Sequence, residues 1–312
     1  MKDIKIILLC SSRIAIPALK ELAFFRMLAV VAIPGHCDEM IEHAEAVLTG
    51  SGIPILQVDK ATFPAQLKEG IETYQANLGL VITFSFKIPP SVYPLVSNGF
   101  YNVHPGPLPQ YRGADPVFQQ IKNREKLAGV TIHQLAEGMD TGPVVICEML
   151  KLEPSDTYGL LTTKLANLSA KLTGILIKLL SFDIAIPSRP QNESNARYFK
   201  RQGAKDITID WQRMDADTIV ALINACNPWN KGAVAKINNQ VIRLLVAEKV
   251  AGDLLVYQQP GYINAVNENG MLVSTIHSQA INIKMIYAEE GFLDTAYFSR
   301  LGMVAGNRFE IF

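Results

Sequence analysis

Asn102 and His104 stand two residues apart at the end of the short run Tyr101–His104, and Asp140 returns in a later loop just before Gly142 and Pro143. Residues i and i+2 of a strand face the same way, so a carboxamide and an imidazole can converge there on one reacting atom. The first is an N–H donor and the second titrates near neutral pH. A carboxylate arriving from another loop could hold that imidazole protonated or relay a proton. These are the parts of an acyl-transfer site.

Positioning such parts requires a rigid strand end, and the first half of the chain alternates strand and helix signals. Ile4–Leu9, Leu28–Ile33, Ile53–Val58 and Leu78–Thr83 are apolar strand-like runs, separated by helix-like segments at Pro17–Phe25, Glu39–Leu48 and Asp59–Tyr74. This rhythm predicts an α/β fold, a Rossmann-like, mostly parallel sheet with helices on both faces. Ligands of such sheets sit at the carboxyl ends of the strands, where Tyr101–His104 also ends. Val144–Leu150 is one more strand, and leucines from Leu160 to Leu179 at helical spacing predict a helix that covers the sheet.

The composition then changes. A polar, proline-bearing stretch around 187–195 reads as a linker, which divides the chain into a catalytic domain over 1–185, a linker over 186–205 and a small domain over 206–312. In the last of these a helix at Asp215–Ala225 precedes short strand-like runs at Ala233–Ile237, Val241–Ala247, Gly261–Val266, Met271–Val273 and Ile281–Tyr287. Short strands punctuated by Gly, Asn and Asp predict a small β-rich, barrel-like domain of OB type.

Bulk properties exclude several classes. With 312 residues, two domains are the better prior, and 29 Lys plus Arg against 29 Asp plus Glu give no overall field toward nucleic acid or acidic lipid. Cys10, Cys37, Cys147 and Cys226 have no CxxC spacing, and no export signal opens the chain, so unpaired, mostly buried thiols in a cytoplasmic protein are expected. The most apolar helical segment is interrupted by Lys164, Lys171 and Lys178, which argues against a membrane span.

The stretch NVHPGPLPQYRGADP, followed by GVTIHQLAEGMDTGPV, resembles the formyltransferases that use 10-formyltetrahydrofolate. That family includes enzymes acting on methionyl-tRNA, glycinamide ribonucleotide and amino sugars. Its pattern is Asn-x-His-Pro, a Leu-Pro bend, an Arg-Gly pair and a later Asp-x-Gly. This chain supplies Asn102, His104, Pro105, Leu108, Pro109, Arg112, Gly113, Asp140 and Gly142 in that order. DITIDW at 206–211 and NPWNKG at 227–232 look like the start of the small domain that follows the catalytic one in the methionyl-tRNA enzymes.

The resemblance implies that Asn102, His104 and Asp140 are catalytic. A neutral amine attacks the formyl carbon, and the oxygen gathers charge that an amide and an imidazolium N–H would stabilise. Asp140 would orient His104 and relay the proton that the amine must shed. The formyl donor, 10-formyltetrahydrofolate, would lie against Phe84, Phe86, Lys87 and Ile88 on one side and Glu137, Gly138 and Met139 on the other. Ser85 occupies a place where the family has glycine, and Lys87 one where an apolar residue is common.

Other residues carry alternatives. Ser11 and Ser12, in a turn that lacks GxGxxG, and the Arg112–Gly113 pair are candidates to bind the acceptor, although Arg112 and Gly113 could equally brace a bend. His133, in the apolar run GVTIHQL, reads as a sheet-packed or surface residue. His36, Cys37, Asp38 and His43 have ligand-type side chains but no second cluster, so no metal is expected. Trp211 and Trp229 read as core of the second domain.

A small or carrier-linked primary amine is the favoured acceptor. Where methionyl-tRNA formyltransferases insert a basic segment, residues 34–43 are acidic, and 191–312 hold 12 Lys plus Arg against 12 Asp plus Glu. Gly106 and Pro107 also replace the usual Ser-Leu of the bend. Methionyl-tRNA stays an alternative because the resemblance runs the full length. Hydrolysis of 10-formyltetrahydrofolate is another, although such enzymes carry a domain ahead of the catalytic one and this chain begins with its first strand. A homodimer is left open.

Overall fold

The computed structural model describes residues 2–251 and 259–310. Two compact units emerge, one made of Met1–Pro116, Leu127–Lys151 and Thr162–Phe199, the other of Val117–Lys126, Leu152–Leu161 and Lys200–Phe312. Along the chain to residue 199 run β1 (Ile6–Cys10), α1 (Ile16–Phe24), β2 (Leu28–Pro34), α2 (Asp38–Leu48), β3 (Ile55–Val58), α3 (Phe63–Thr73), β4 (Leu78–Ile82) and β5 (Phe100–His104). They are followed by β6 (Arg112–Gly113), α4 (Pro116–Lys122), β7 (Leu127–Gln134), β8 (Val144–Lys151), α5 (Tyr158–Ser181) and β9 (Tyr198–Phe199).

The first unit is built on a seven-stranded sheet in the order β3-β2-β1-β4-β5-β7-β8. The strands from β3 to β5 are parallel, and β7 and β8 add antiparallel to the β5 side. Every residue of β1 and β4 is buried, as strands covered on both faces must be. On one face α3 packs Phe63, Leu67 and Ile71 against Ile7, Leu9, Val30 and Ala32. Elsewhere α1, opened by Pro17 in its first turn, lies beside α5, and Ala18 and Leu22 share a groove with Ala170, Gly174 and Ile177. The α5 stripe is narrower than leucine spacing predicts: Leu161, Leu165, Leu168, Leu172 and Leu176 are buried, whereas Leu160 and Ile175 are exposed.

The chain winds outward from β1 to β3 and then returns to place β4 on the other side of β1. The switch point therefore lies between β1 and β4, and their carboxyl ends define the binding edge. Pairing in register sets Cys10 beside Ile82 and Ile82 beside Val103. Ser11, Thr83 and His104 thus leave one common row, with Ser11 roughly 10 Å from His104 at the usual strand spacing.

The proline-bearing stretch that reads as a linker is tied to the first unit over much of its length. Arg189 exchanges backbone hydrogen bonds with Val144, and β9 pairs with β6. The second unit holds α6 (Ala216–Ala225), β10 (Ala233–Ile237), β11 (Gln240–Lys249), β12 (Ile263–Asn267), β13 (Gly270–Ser274), β14 (Ala280–Ala288), β15 (Gly291–Asp294) and α7 (Thr295–Phe298). Asp215 caps α6 by accepting from the Thr218 N–H at 2.8 Å. Asn238 and Asn239, both at positive φ, close the β10–β11 hairpin.

These strands form a six-stranded antiparallel sheet in the order β10-β11-β14-β13-β12, with β15 also on β14. This antiparallel sheet is the small β-rich domain expected to follow the α/β unit. Trp211 is buried and stacks on Phe309, but Trp229 is 41% exposed. Cys10 and Cys226 are buried, Cys37 is half-buried and Cys147 is exposed. Among the described residues no helix is long and apolar enough to cross a membrane.

Candidate active site

Antiparallel pairing of β5 with β7 sets Asn102 opposite His133 and His104 opposite Thr131. Residues directly opposite on one face approach within side-chain reach, so β7 supplies a partner for each polar residue of β5. Thr131 anchors the bend after His104: its hydroxyl donates to the Gly106 carbonyl at 2.8 Å and accepts from the Leu108 N–H at 3.1 Å. His133 presents Nε2 to Asn102 Nδ2 at 3.1 Å. A register shift between Ile132 and His133 in the β7–β8 pairing locally breaks the ladder at this point, as bulges next to functional sites do.

Asp140 completes the group. Its Oδ1 accepts from Asn102 Nδ2 at 3.3 Å and lies 3.8 Å from His104 Nδ1 and 3.6 Å from His133 Nε2, while Oδ2 accepts from the Gly113 N–H at 2.9 Å. The three residues singled out from the sequence thus meet, and His133, which the sequence suggested only as sheet-packed or surface, is buried in the sheet and joins them. An apolar run gave no sign of this. The signal was positional, since antiparallel pairing must bring some residue of the run opposite Asn102.

The electrostatics differ from expectation in one respect. Burial pushes His104 below the ordinary imidazole value, and the attraction of Asp140 and the hydrogen bond to Tyr111 do not restore it. His104 therefore rests neutral at neutral pH, not as the expected imidazolium. Its Nε2 lies 2.6 Å from the Tyr111 carbonyl, which can only accept, so the proton sits on Nε2 and the Nδ1 lone pair faces Asp140. Burial also acts to raise Asp140, but the charge that His104 takes up in acid, together with His133 and the Gly113 N–H, outweighs it and holds the carboxyl at about 2.

The loop that delivers Asp140 is over-determined. Asp140 itself adopts φ 54°, a left-handed conformation that Asp tolerates better than most residues. A side chain at Gly142 would meet the Gln134 carbonyl at 1.7 Å, and one at Gly113 the Phe199 carbonyl at 2.3 Å, so both close approaches require glycine. Gln191 Nε2 donates to the carbonyls of Asp140 and Gly142 at 2.8 and 2.7 Å. Its Oε1 accepts from Arg112 Nε and Nη2, and the remaining guanidinium hydrogens go to Glu193 and Tyr198. Arg112 is buried with all five donors used internally, which makes it the brace of the bend and leaves its guanidinium nothing for an acceptor. The sequence had offered both roles.

Around the switch point, the hydroxyls of Ser11 and Ser12 are engaged with Thr83: Ser11 donates to its carbonyl and Ser12 meets its hydroxyl at 2.7 Å. Ser85 reaches Ser11 at 3.2 Å. Phe84 and Phe86 pack together with Phe63, Ile88 is core, and Lys87 is exposed. Across from them, Glu137, Gly138 and Met139 are exposed. The Tyr93 hydroxyl lies 3.2 Å from the carbonyls of both Ile88 and Ala136, so it ties the two loops together, a role not foreseen from sequence. Among the described residues no three His, Cys, Asp or Glu side chains gather in a way that could hold a metal ion.

Asn102, His104, His133 and Asp140 lie within a stretch of the chain that is similar to known proteins. The family model for the formyl transferase domain covers residues 38–174, and that for the formyl transferase C-terminal domain covers 203–292. A methionyl-tRNA formyltransferase of Syntrophus aciditrophicus (strain SB) is 30% identical over 281 residues, which is 88% of each chain. In fold, the chain is similar to an N-formyltransferase from Helicobacter canadensis solved with folinic acid and dTDP-3-aminofucose, with a TM-score of 0.68, 17% identity and coverage of 90% of this chain and 98% of that one. It is also similar to HypX from Aquifex aeolicus in complex with tetrahydrofolic acid, with a TM-score of 0.67, 18% identity and coverage of 95%. There it spans 46% of the other chain's length. Matched through both of its units and aligned along most of its length at 30% identity, this chain belongs to the formyl transferase family of enzymes.

Proposed function

We propose that this protein transfers a formyl group from 10-formyltetrahydrofolate to a primary amine, and that Asn102, His104 and Asp140 carry the reaction. The observation that supports this most directly is the meeting of the three side chains, with His133, at the carboxyl edge of β5. A protein that only bound folate would have no use for a buried imidazole with its lone pair beside a fixed carboxylate.

In this reading the folate ring lies between the loops at 84–88 and 136–140, which Tyr93 joins. When bound, the folate supplies an activated formyl carbon. The rest falls to the protein. The 3.3 Å contact from Asn102 Nδ2 to Asp140 is long for a hydrogen bond, so this N–H is available to the formyl oxygen as charge gathers on it. His104, neutral at rest, accepts the proton of the attacking amine at Nδ1. The carboxylate of Asp140, far too acidic to serve as the base itself, stabilises the resulting imidazolium, which returns the proton to the folate nitrogen as the bond between that nitrogen and the formyl carbon breaks. The seam of Ser11, Ser12 and Thr83 and the main chain of Gly113 line the acceptor's approach.

The acceptor in this reading is a small or carrier-linked amine, an amino sugar, an amino acid or a related precursor. It is supported by the acidic character of residues 34–43, where Asp38 and Glu39 open α2 and Glu39 pairs with Arg13. A second reading, transfer to methionyl-tRNA, is favoured by the name of the 30% identical relative.

Tetrahydrofolate release from 10-formyltetrahydrofolate separates these readings. It is followed with water alone, with charged initiator tRNA, and with panels of amino sugars and amino acids. Release stimulated by small amines is the expected result. Release only with the charged tRNA overturns the acceptor assignment, and release that needs no amine identifies a hydrolase.

A further inference from the structure

We propose that His133 is a positioning residue that orients the carboxamide of Asn102 for catalysis. The inference rests on the formyl-transfer reading and deepens it. It starts from the partners of the two ring nitrogens. Nδ1 lies 2.8 Å from the Gln134 carbonyl, an atom that can only accept, so Nδ1 carries the proton. Nε2 lies 3.6 Å from Asp140 Oδ1, too far for a hydrogen bond, and 3.1 Å from Asn102 Nδ2, so its lone pair accepts from the donor end of the Asn102 amide.

The amide nitrogen of Asn102 has two hydrogens. His133 takes one, which fixes both the end and the plane of the amide. The second hydrogen is thereby aimed at Asp140 Oδ1, 3.3 Å away, where the formyl oxygen is to be met. The ring cannot swing out of this arrangement, since it is 1% exposed and locked by the strand register that pairs it with Asn102. Gly142 leaves the space it needs: a Cβ there would come within 3.3 Å of His133 Nδ1. Asp140 alone cannot replace it, because a single acceptor leaves the amide free to rotate about its axis.

Two substitutions and one spectrum test this. His133→Leu removes the acceptor and keeps the site apolar, whereas His133→Gln can offer an amide oxygen to Asn102. The expected result is a fall in kcat of about tenfold or more in His133→Leu, with KM for 10-formyltetrahydrofolate within about threefold, and recovery of most of kcat in His133→Gln. Nitrogen-15 NMR of histidine-labelled protein, with the His133 signal identified by its absence from His133→Gln, is expected to show the Nδ1–H tautomer. A His133→Leu enzyme within twofold of the unsubstituted protein overturns the proposal. So does equal loss in both variants, or a proton on Nε2. The spectrum needs no turnover, so if the protein transfers formyl to no amine at all, the function proposed above fails while the tautomer can still be read.

Discussion

Arg112 makes five hydrogen bonds of 2.6 to 3.0 Å and leaves no N–H unused, whereas His104 and Asp140, hardly less shielded, approach each other only to 3.8 Å. Both networks act on the same loop. The guanidinium grips it through Gln191, and the cluster uses the side chain that the loop delivers. A saturated network stabilises one arrangement and has no capacity left for a ligand. A loose one in the same low-dielectric setting holds donors and acceptors ready, at a cost in stability that the brace offsets. The difference teaches where to look for chemistry: among buried polar groups, those whose bonds are long and incomplete.

The largest effects should come from the loose network. His104→Ala and Asp140→Ala are each expected to lose at least about a hundredfold in kcat while 10-formyltetrahydrofolate binds within roughly tenfold of normal, as measured by turnover and equilibrium titration. Near-normal turnover in either would remove that residue from the mechanism. Next, Gln191→Ala should free the Asp140 loop and lower kcat about tenfold, with little effect on Tm. An unchanged kcat would show that the glycines alone position the loop.

Arg112→Met should reverse the pattern, lowering Tm by roughly 5 to 10 °C through its lost hydrogen bonds and reducing activity only as Asp140 loses its support. If kcat collapses at unchanged Tm, the brace is part of the chemistry and the contrast fails.

The pH dependence follows from the same cluster. Reaction needs neutral His104, whose value is lowered, so kcat/KM should fall on the acid side with a limb below about 6.5. Stability has the same sign. In the unfolded chain His104 binds a proton more readily, so its contribution is present above about 6.5 and is lost as pH falls below that value. Asp140 adds a second loss lower down, from the ordinary carboxylate range toward about 2. Thermal melts across this range check both. The smallest effect is reserved for the exposed Arg13–Glu39 pair: Arg13→Ala should shift Tm by no more than about 2 °C.

Much of the scaffold was legible because it is local. Apolar runs of four to eight residues became β1 to β4, and the helices between them fall within a few residues of their predicted places. Two kinds of feature were missed. α4 lies between the two motif segments and β7 runs into the second, whose chemistry-bearing residues masked an ordinary strand, and the polar stretch near 190 read as a linker because its partners are distant in the chain. Gln191 and Glu193 look like solvated residues until Arg112, some eighty positions earlier, is placed beside them.

By itself the sequence determined which residue types were available and which strand end would carry Asn102 and His104, because side-chain alternation and motif spacing are properties of neighbouring positions. Only the tertiary structure decided that His104 rests neutral, that His133 faces Asn102, and that Arg112 is used up. Each depends on burial or on a partner brought across the sheet, and neither a desolvation penalty nor a cross-strand contact exists until the strands have paired.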